Sequence, residues 1–99
     1  MEKLYKESER GRLSSELLNN PVLIESMSAI EQEIISQWGN CPARDKEGKE
    51  ALWQLYKMSQ KFKNILTGYI ETGKLAREEL KQHEGGLRSK AKDFIRRVA

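Results

Sequence analysis

From Leu52 onward the apolar positions form a stripe: Leu52, Leu55, Ser59, Phe62, Leu66, Tyr69, Gly73, Ala76 and Leu80. The steps alternate between three and four residues, which keeps the side chains on one side of an α-helix and is the spacing of a coiled-coil seam. Trp53, Tyr56, Met58, Ile65 and Ile70 flank it. The pattern predicts a long helix from about residue 46 to 82. Gly68 and Gly73 each weaken it by about 1 kcal/mol relative to alanine. The stripe stays in phase across both, so the helix is expected to be continuous, with Gly73 as the place for any kink.

Upstream, Leu23, Met27, Ile30, Ile34 and Trp38 trace one face of a second helix, widened by Val22, Ile24 and Ile35. Asn20 is a suitable N-cap and Pro21 suits the first helical position, where its missing N–H costs nothing. Gly39-Asn40 is expected to stop this helix, because glycine readily takes the left-handed conformation at a helix end. Asp45 is a suitable cap for the long helix, with Glu47 in its favourable first turn. The stretch GNCPARDKEGKEALW, Gly39 to Trp53, therefore reads as a bend with a loop of about six residues, which makes the two helices antiparallel neighbours.

Residues 2–18 have a thinner apolar set, Leu4, Tyr5, Leu13, Leu17 and Leu18, interrupted by Gly11. HEGG is expected to end the long helix, with Gly85-Gly86 as a flexible joint. The expected organisation is a weakly ordered N-terminal helix over 1–19, a helical hairpin over 20–84 and a basic amphipathic tail over 85–99. The fold class is all-α: a helical hairpin with a long second helix, a coiled-coil-like oligomer and a basic C-terminal tail. The first hairpin helix has about 18 residues and the second about 36, so the second is about twice as long. Its far half lacks an intrachain partner unless residues 2–18 fold back beside it. That overhang predicts a homo-oligomer, with Leu52, Leu55, Phe62, Leu66, Tyr69 and Leu80 as its interface.

The chain has 99 residues, 37% hydrophobic and 33% charged. That is one domain with a small core, polar but not disordered in composition. The net charge of +3 is unevenly placed. Residues 1–84 hold 13 Lys/Arg and 14 Asp/Glu, or −1, whereas residues 85–99 hold five Lys/Arg and one Asp, or +4. Arg88, Lys90, Lys92, Arg96 and Arg97 are thus the candidate contacts to nucleic-acid phosphate, whose affinity falls steeply with salt. The apolar face beside them, Leu87, Ala91, Phe94, Ile95 and Val98, equally suits a groove on a protein partner or an anionic membrane surface. A solvated tail is the plain alternative. No apolar run approaches the roughly 20 residues of a membrane span. The N-terminus lacks an apolar signal core. A soluble intracellular protein is expected, without a membrane role.

Candidate chemistry is sparse. Trp38 and Trp53 flank the bend and are expected to pack the end of the core, with a ligand platform as the sharper alternative. Cys41 is the only cysteine, which precludes an intramolecular disulfide, and the only histidine, His83, lies 42 positions away. A Cys–His nucleophile needs hydrogen-bond reach, so neither is expected to be catalytic. ARDKEGKE suits capping and local ion pairs better than acid–base work. TGYIETGK is not a phosphate loop, since it lacks the GxxxxGK[ST] spacing and lies in a helical pattern. Gly68, Gly73 and Ala76 instead suit close approach of another helix. Lys57, Lys61 and Lys63 are expected to face Glu25, Glu31 and Glu33, with nucleic-acid contact as the alternative. No catalytic residue, cofactor or metal site is expected, and the chain reads as a non-enzyme.

The segment from Glu16 to Leu80 resembles small uncharacterised helical proteins encoded by tailed bacteriophages and prophages. The similarity is carried by the NNP opening, the tryptophan ending the first helix, the PARDKEGKEALW bend and YIETGKLA late in the second helix. Genes of that kind often lie among virion structural genes. The resemblance implies a virion structural or assembly protein, located in the virion or the bacterial host cytoplasm, whose partners are other virion or host proteins. It carries over no catalytic residue. A nucleic-acid-binding accessory protein and an inhibitor of a host protein are the alternatives.

Overall fold

The structure, a computed structural model, describes the backbone of residues 1–98 and the side chains of residues 1–85 and 95. Three helices follow one another: α1 (Glu2–Leu18), α2 (Pro21–Asn40) and α3 (Lys46–Val98). The chain is all-helical, with no strand among the described residues. At 1.5 Å per residue, the 53 residues of α3 come to about 80 Å and set the long axis. The molecule measures 83 × 25 × 16 Å with a radius of gyration of 22.8 Å. A compact chain of this length would have about 13 Å, so most residues lie near the surface.

The helix starts follow from their caps. The Asn20 side-chain oxygen accepts from the backbone N–H of Val22 at 2.9 Å and of Leu23 at 3.4 Å, and Pro21 opens α2. Asp45 accepts from the N–H of Gly48 at 2.9 Å, and Glu47 sits in the first turn of α3. Glycine at 48 leaves room for that carboxylate, which a Cβ would strike.

The end of α2 differs from the sequence expectation. Helix α2 runs through Gly39 and Asn40, and no described glycine has a positive φ. The chain leaves the helix at Cys41, which is extended at φ −76 and ψ 128. Cys41 precedes Pro42, whose ring excludes the helical conformation from the residue before it. The proline, not the glycine, therefore sets the stop. HEGG does not end α3 either, because α3 continues to Val98. Glycine lowers helix propensity by about 1 kcal/mol without forbidding the helix, and a side chain at Gly85 would meet nothing within 4 Å.

Both shorter helices lie antiparallel to α3. Contacts pass from Trp38 with Lys49, through Glu31 with Lys63, to Arg10 with Tyr69 and Glu7 with Gly73. As numbers rise along α3 they fall along α2 and then α1. Helix α1 thus occupies the stretch of the long helix that the sequence left without an intrachain partner. It does so through small residues. A Cβ on Gly11 would lie 2.8 Å from the Cα of Gly73 and 2.8 Å from the carbonyl oxygen of Tyr69. Gly11 and Ser14 are the buried residues of α1, and Gly11 meets a side of α3 on which Gly73, Ala76 and Leu80 are buried. The Ser14 hydroxyl donates to the Arg10 carbonyl at 2.8 Å, so its burial leaves no polar group unpaired. Gly11, read from sequence as an interruption, is the point of closest contact. Gly73 and Ala76 also work at close approach, but Gly68 does not, since a Cβ there would meet nothing within 4 Å.

Candidate functional site

Helix α2 packs far more loosely. Ile34 is its only buried residue, and Leu52 is the buried residue opposite it on α3. Large apolar side chains of the two helices line two open grooves, one on each side of the α2–α3 contact. One is lined by Met27, Ile30, Leu55, Met58, Ser59 and Phe62. The second is lined by Ile34, Ile35, Trp38, Leu52, Trp53 and Tyr56. In the first groove Ile30 is 53% exposed, Leu55 55%, Met58 64% and Phe62 46%. Scattered single apolar residues are ordinary on a surface, but contiguous patches mark interaction sites.

The two grooves differ in chemistry. The first has aliphatic and thioether walls, and methionine adapts its shape to a partner. The second is aromatic and partly covered by the chain's own cations. Lys49 Nζ sits 4.3 Å from the Trp38 ring centroid and Lys57 Nζ 4.5 Å from that of Trp53. Trp53 and Tyr56 have centroids 6.3 Å apart. The tryptophans do not close the end of the core as expected. Trp38 and Trp53 each keep about half their surface in water, because Ile34 and Leu52 occupy the narrow contact and the rings project to one side of it.

Of the six residues expected at an oligomer interface, Leu52, Leu66 and Leu80 are buried within the chain. Tyr69 is half-buried, with the Arg10 guanidinium 4.1 Å from its ring centroid. Only Leu55 and Phe62 remain exposed, and the structure brings them together with Met58, Met27 and Ile30. The side chains of Arg88, Lys90, Lys92, Arg96 and Arg97 lie outside the described residues. The charge complementarity between α2 and α3 appears at one point. Lys63 Nζ pairs with the Glu31 carboxylate, which also accepts from Gln60 at 3.4 Å. Glu33 instead accepts from Gln37 on its own helix at 2.9 Å.

Cys41 Sγ lies 3.7 Å from an Asp45 carboxylate oxygen in the bend. His83 is exposed on α3, about 55 Å along the helix from its start at Lys46. No group of three or more His, Cys, Asp or Glu that could hold a metal occurs among the described residues. No helix is long and apolar enough to cross a membrane among those searched. An exposed trio of Glu9, Arg12 and Glu16 lies on α1. Arg12 Nε donates to Glu9 at 3.0 Å and its guanidinium also pairs with Glu16. Its hydrogen bond and charge hold the Glu9 carboxyl below the usual glutamate range, while the two carboxylates push Arg12 further up.

Sequence reasoning missed Gly11 and Ser14 as contact-forming positions, and it placed Met58 and Ile30 on helix faces without bringing them into one groove. A signal for the first pair was present. Gly11 and Ser14 are spaced by three, as are Gly73 and Ala76, so each helix carries two small residues on one face. Nothing in the spacing says that Gly11 meets Gly73. Compared with protein-family models, with curated proteins and with solved structures, the chain matches none.

Proposed function

We propose that the chain is a small structural or assembly protein of the kind encoded by tailed phages and prophages, working by helix–helix packing. Its setting is the virion or the bacterial host cytoplasm, and its partners are further copies of itself and other virion or host proteins. The observation that carries this reading is the open apolar groove of Met27, Ile30, Leu55, Met58 and Phe62. A rod whose large apolar residues line shallow grooves is suited to receive another helix, the mode in which an apolar face lies along a groove. The hairpin of α2 and α3 is then the working unit, a coiled-coil-like seam completed by a partner.

The +4 charge of residues 85–99 favours a second reading, a nucleic-acid-binding accessory protein. Size-exclusion chromatography with light scattering, recorded at protein and nucleic-acid wavelengths, separates the two. A defined protein-only oligomer supports assembly. A peak carrying nucleic acid that dissociates with salt, and is lost on deleting residues 85–99, favours the second reading. A monomer free of nucleic acid contradicts both self-assembly and tail-driven binding, and leaves a host-directed inhibitor.

A further inference from the structure

On α3, Leu55, Met58, Phe62, Leu66, Tyr69, Gly73, Ala76 and Leu80 follow one another at steps of three and four residues and so form one continuous row. The two halves of this row have different fates. The half at Tyr69, Gly73 and Ala76 is covered by α1, which lies antiparallel upon it. The half at Leu55, Met58 and Phe62 is open, because α2 sits to one side of it, over Leu52, Gln60 and Lys63. The open half therefore lies in line with the seat that α1 fills further along, but is lined by larger side chains.

We propose that a second copy of the chain fills it: the partner's α2 lies antiparallel on α3 beside Leu55, Met58 and Phe62, in line with α1, and the contact is repeated by two-fold symmetry. This rests on the self-association part of the proposed function and names its geometry. Met27 and Ile30 line the same groove from α2, so the incoming helix meets both α2 and α3. The cross-section becomes a four-helix bundle with apolar side chains from both copies at its centre.

Charge selects the orientation. Helix α2 carries Glu25, Glu31 and Glu33 and no lysine or arginine, a net of −3. The opposing stretch of α3, residues 46–63, carries five lysines and two glutamates, a net of +3. A two-fold axis along the helices stacks each acidic α2 on the partner's basic α3. A two-fold axis across them stacks α2 on α2 and α3 on α3, setting like charge against like charge. The second groove is the poorer seat, because Lys49 and Lys57 already cover its tryptophan faces.

The native Cys41, the only cysteine and half-buried at the bend, reports the arrangement. Spin labels on it in the full-length protein measure the distance between bends by pulsed electron resonance. With the axis along the helices both bends lie at one end of the bundle, and interaxial spacings of 8–10 Å give a label separation of about 20 Å. With the axis across them, the bends lie at opposite ends of the bundle, and the rise along the 20 residues of α2 alone separates the labels by about 30 Å. The expected result is a particle of twice 11.5 kDa with the short distance. Phe62→Glu, at an exposed position, is expected to keep the helical circular dichroism and run at 11.5 kDa. A dimer with the long distance, or a Phe62→Glu variant that stays dimeric, overturns this geometry and leaves self-association standing. A single-copy mass at every concentration overturns both.

Discussion

Along α3, Tyr69 to Leu80 meet α1 so closely that neither Gly11 nor Gly73 has room for a methyl group. Leu52 to Lys63 meet α2 across a contact that buries only Ile34 and Leu52 and leaves Leu55, Met58 and Phe62 open. The comparison reverses a simple reading of hydrophobicity. Helix α1 is poor in apolar residues, and α2 is rich in them. Yet α1 is the helix that seats tightly, because backbones approach where side chains are small and every atom at the contact gains dispersion. Large side chains on α2 and α3 hold the two backbones apart, and apolar surface that they do not cover in each other stays open. The difference is one of degree, since Leu13 and Leu17 on α1 also keep about half their surface exposed. It divides one rod into an end with a close contact between small residues and an end whose large apolar residues line open grooves.

The sharpest way to break the comparison is to thicken the tight end. Gly73→Leu is expected to destabilise by about 3 kcal/mol or more, since the obstacle is the backbone of α1 and cannot swing aside. The gain in helix propensity, about 1 kcal/mol, does not offset this. Thermal unfolding followed by circular dichroism reads the loss. Gly68→Ala on the same helix is expected to move the other way, stabilising by about 0.5–1 kcal/mol, because its side chain meets nothing. Equal effects at the two glycines would remove the close approach from the account.

Next in size are the leucines. Leu66→Ala, at a buried site, is expected to cost about 2–4 kcal/mol at any protein concentration. Leu55→Ala, at an exposed site, is expected to cost well under 1 kcal/mol in dilute solution, rising with concentration as association is lost. Denaturant unfolding at two concentrations separates them. A concentration-dependent Leu66→Ala and a concentration-independent Leu55→Ala would exchange the roles of the two ends.

Smaller effects sharpen the boundary between the ends. Asp45→Ala removes the cap of α3 and is expected to cost about 1 kcal/mol. Glu31→Gln breaks the partly exposed pair with Lys63 and is expected to cost about 0.2–1 kcal/mol. The smallest concerns α1. Because Arg12 lowers the folded-state pKa of Glu9, the associated stability is present above the unfolded value and is lost as pH falls through the folded one. A carboxyl titration by NMR is expected to place the Glu9 midpoint below that of an ordinary glutamate and to return it there in Arg12→Gln. An unchanged midpoint in the variant would remove Arg12 as the cause.

Much of the helical framework is legible in local chemistry. Asn20-Pro21 and Asp45 specify helix starts through bonds to residues two or three positions on, so sequence neighbours suffice to read them. The apolar face of α3 is likewise a matter of spacing. Helix ends were harder, because competing local signals differ in strength. Pro42 excludes helix at Cys41 by steric clash, whereas Gly39 only permits an exit, and Gly85 merely lowers propensity. The least legible features are non-local. That Gly11 meets Gly73, and that α2 leaves Leu55 and Phe62 open while covering Leu52, depends on how two helices are set against a third. A single helix's periodicity cannot specify that. The division of the stripe into covered and open residues therefore emerged only from the packing.

Amide hydrogen exchange followed by mass spectrometry over a series of protein concentrations tests the division most directly, because protection reports local opening. Peptides from α1 and from residues 66–80 are predicted to exchange slowly at every concentration. Peptides from α2 and from residues 46–63 are predicted to exchange quickly in dilute solution and to slow as the second copy binds. Protection of α2 equal to that of α1 at the lowest concentration, unchanged across the series, would contradict the claim that this end is completed by a partner.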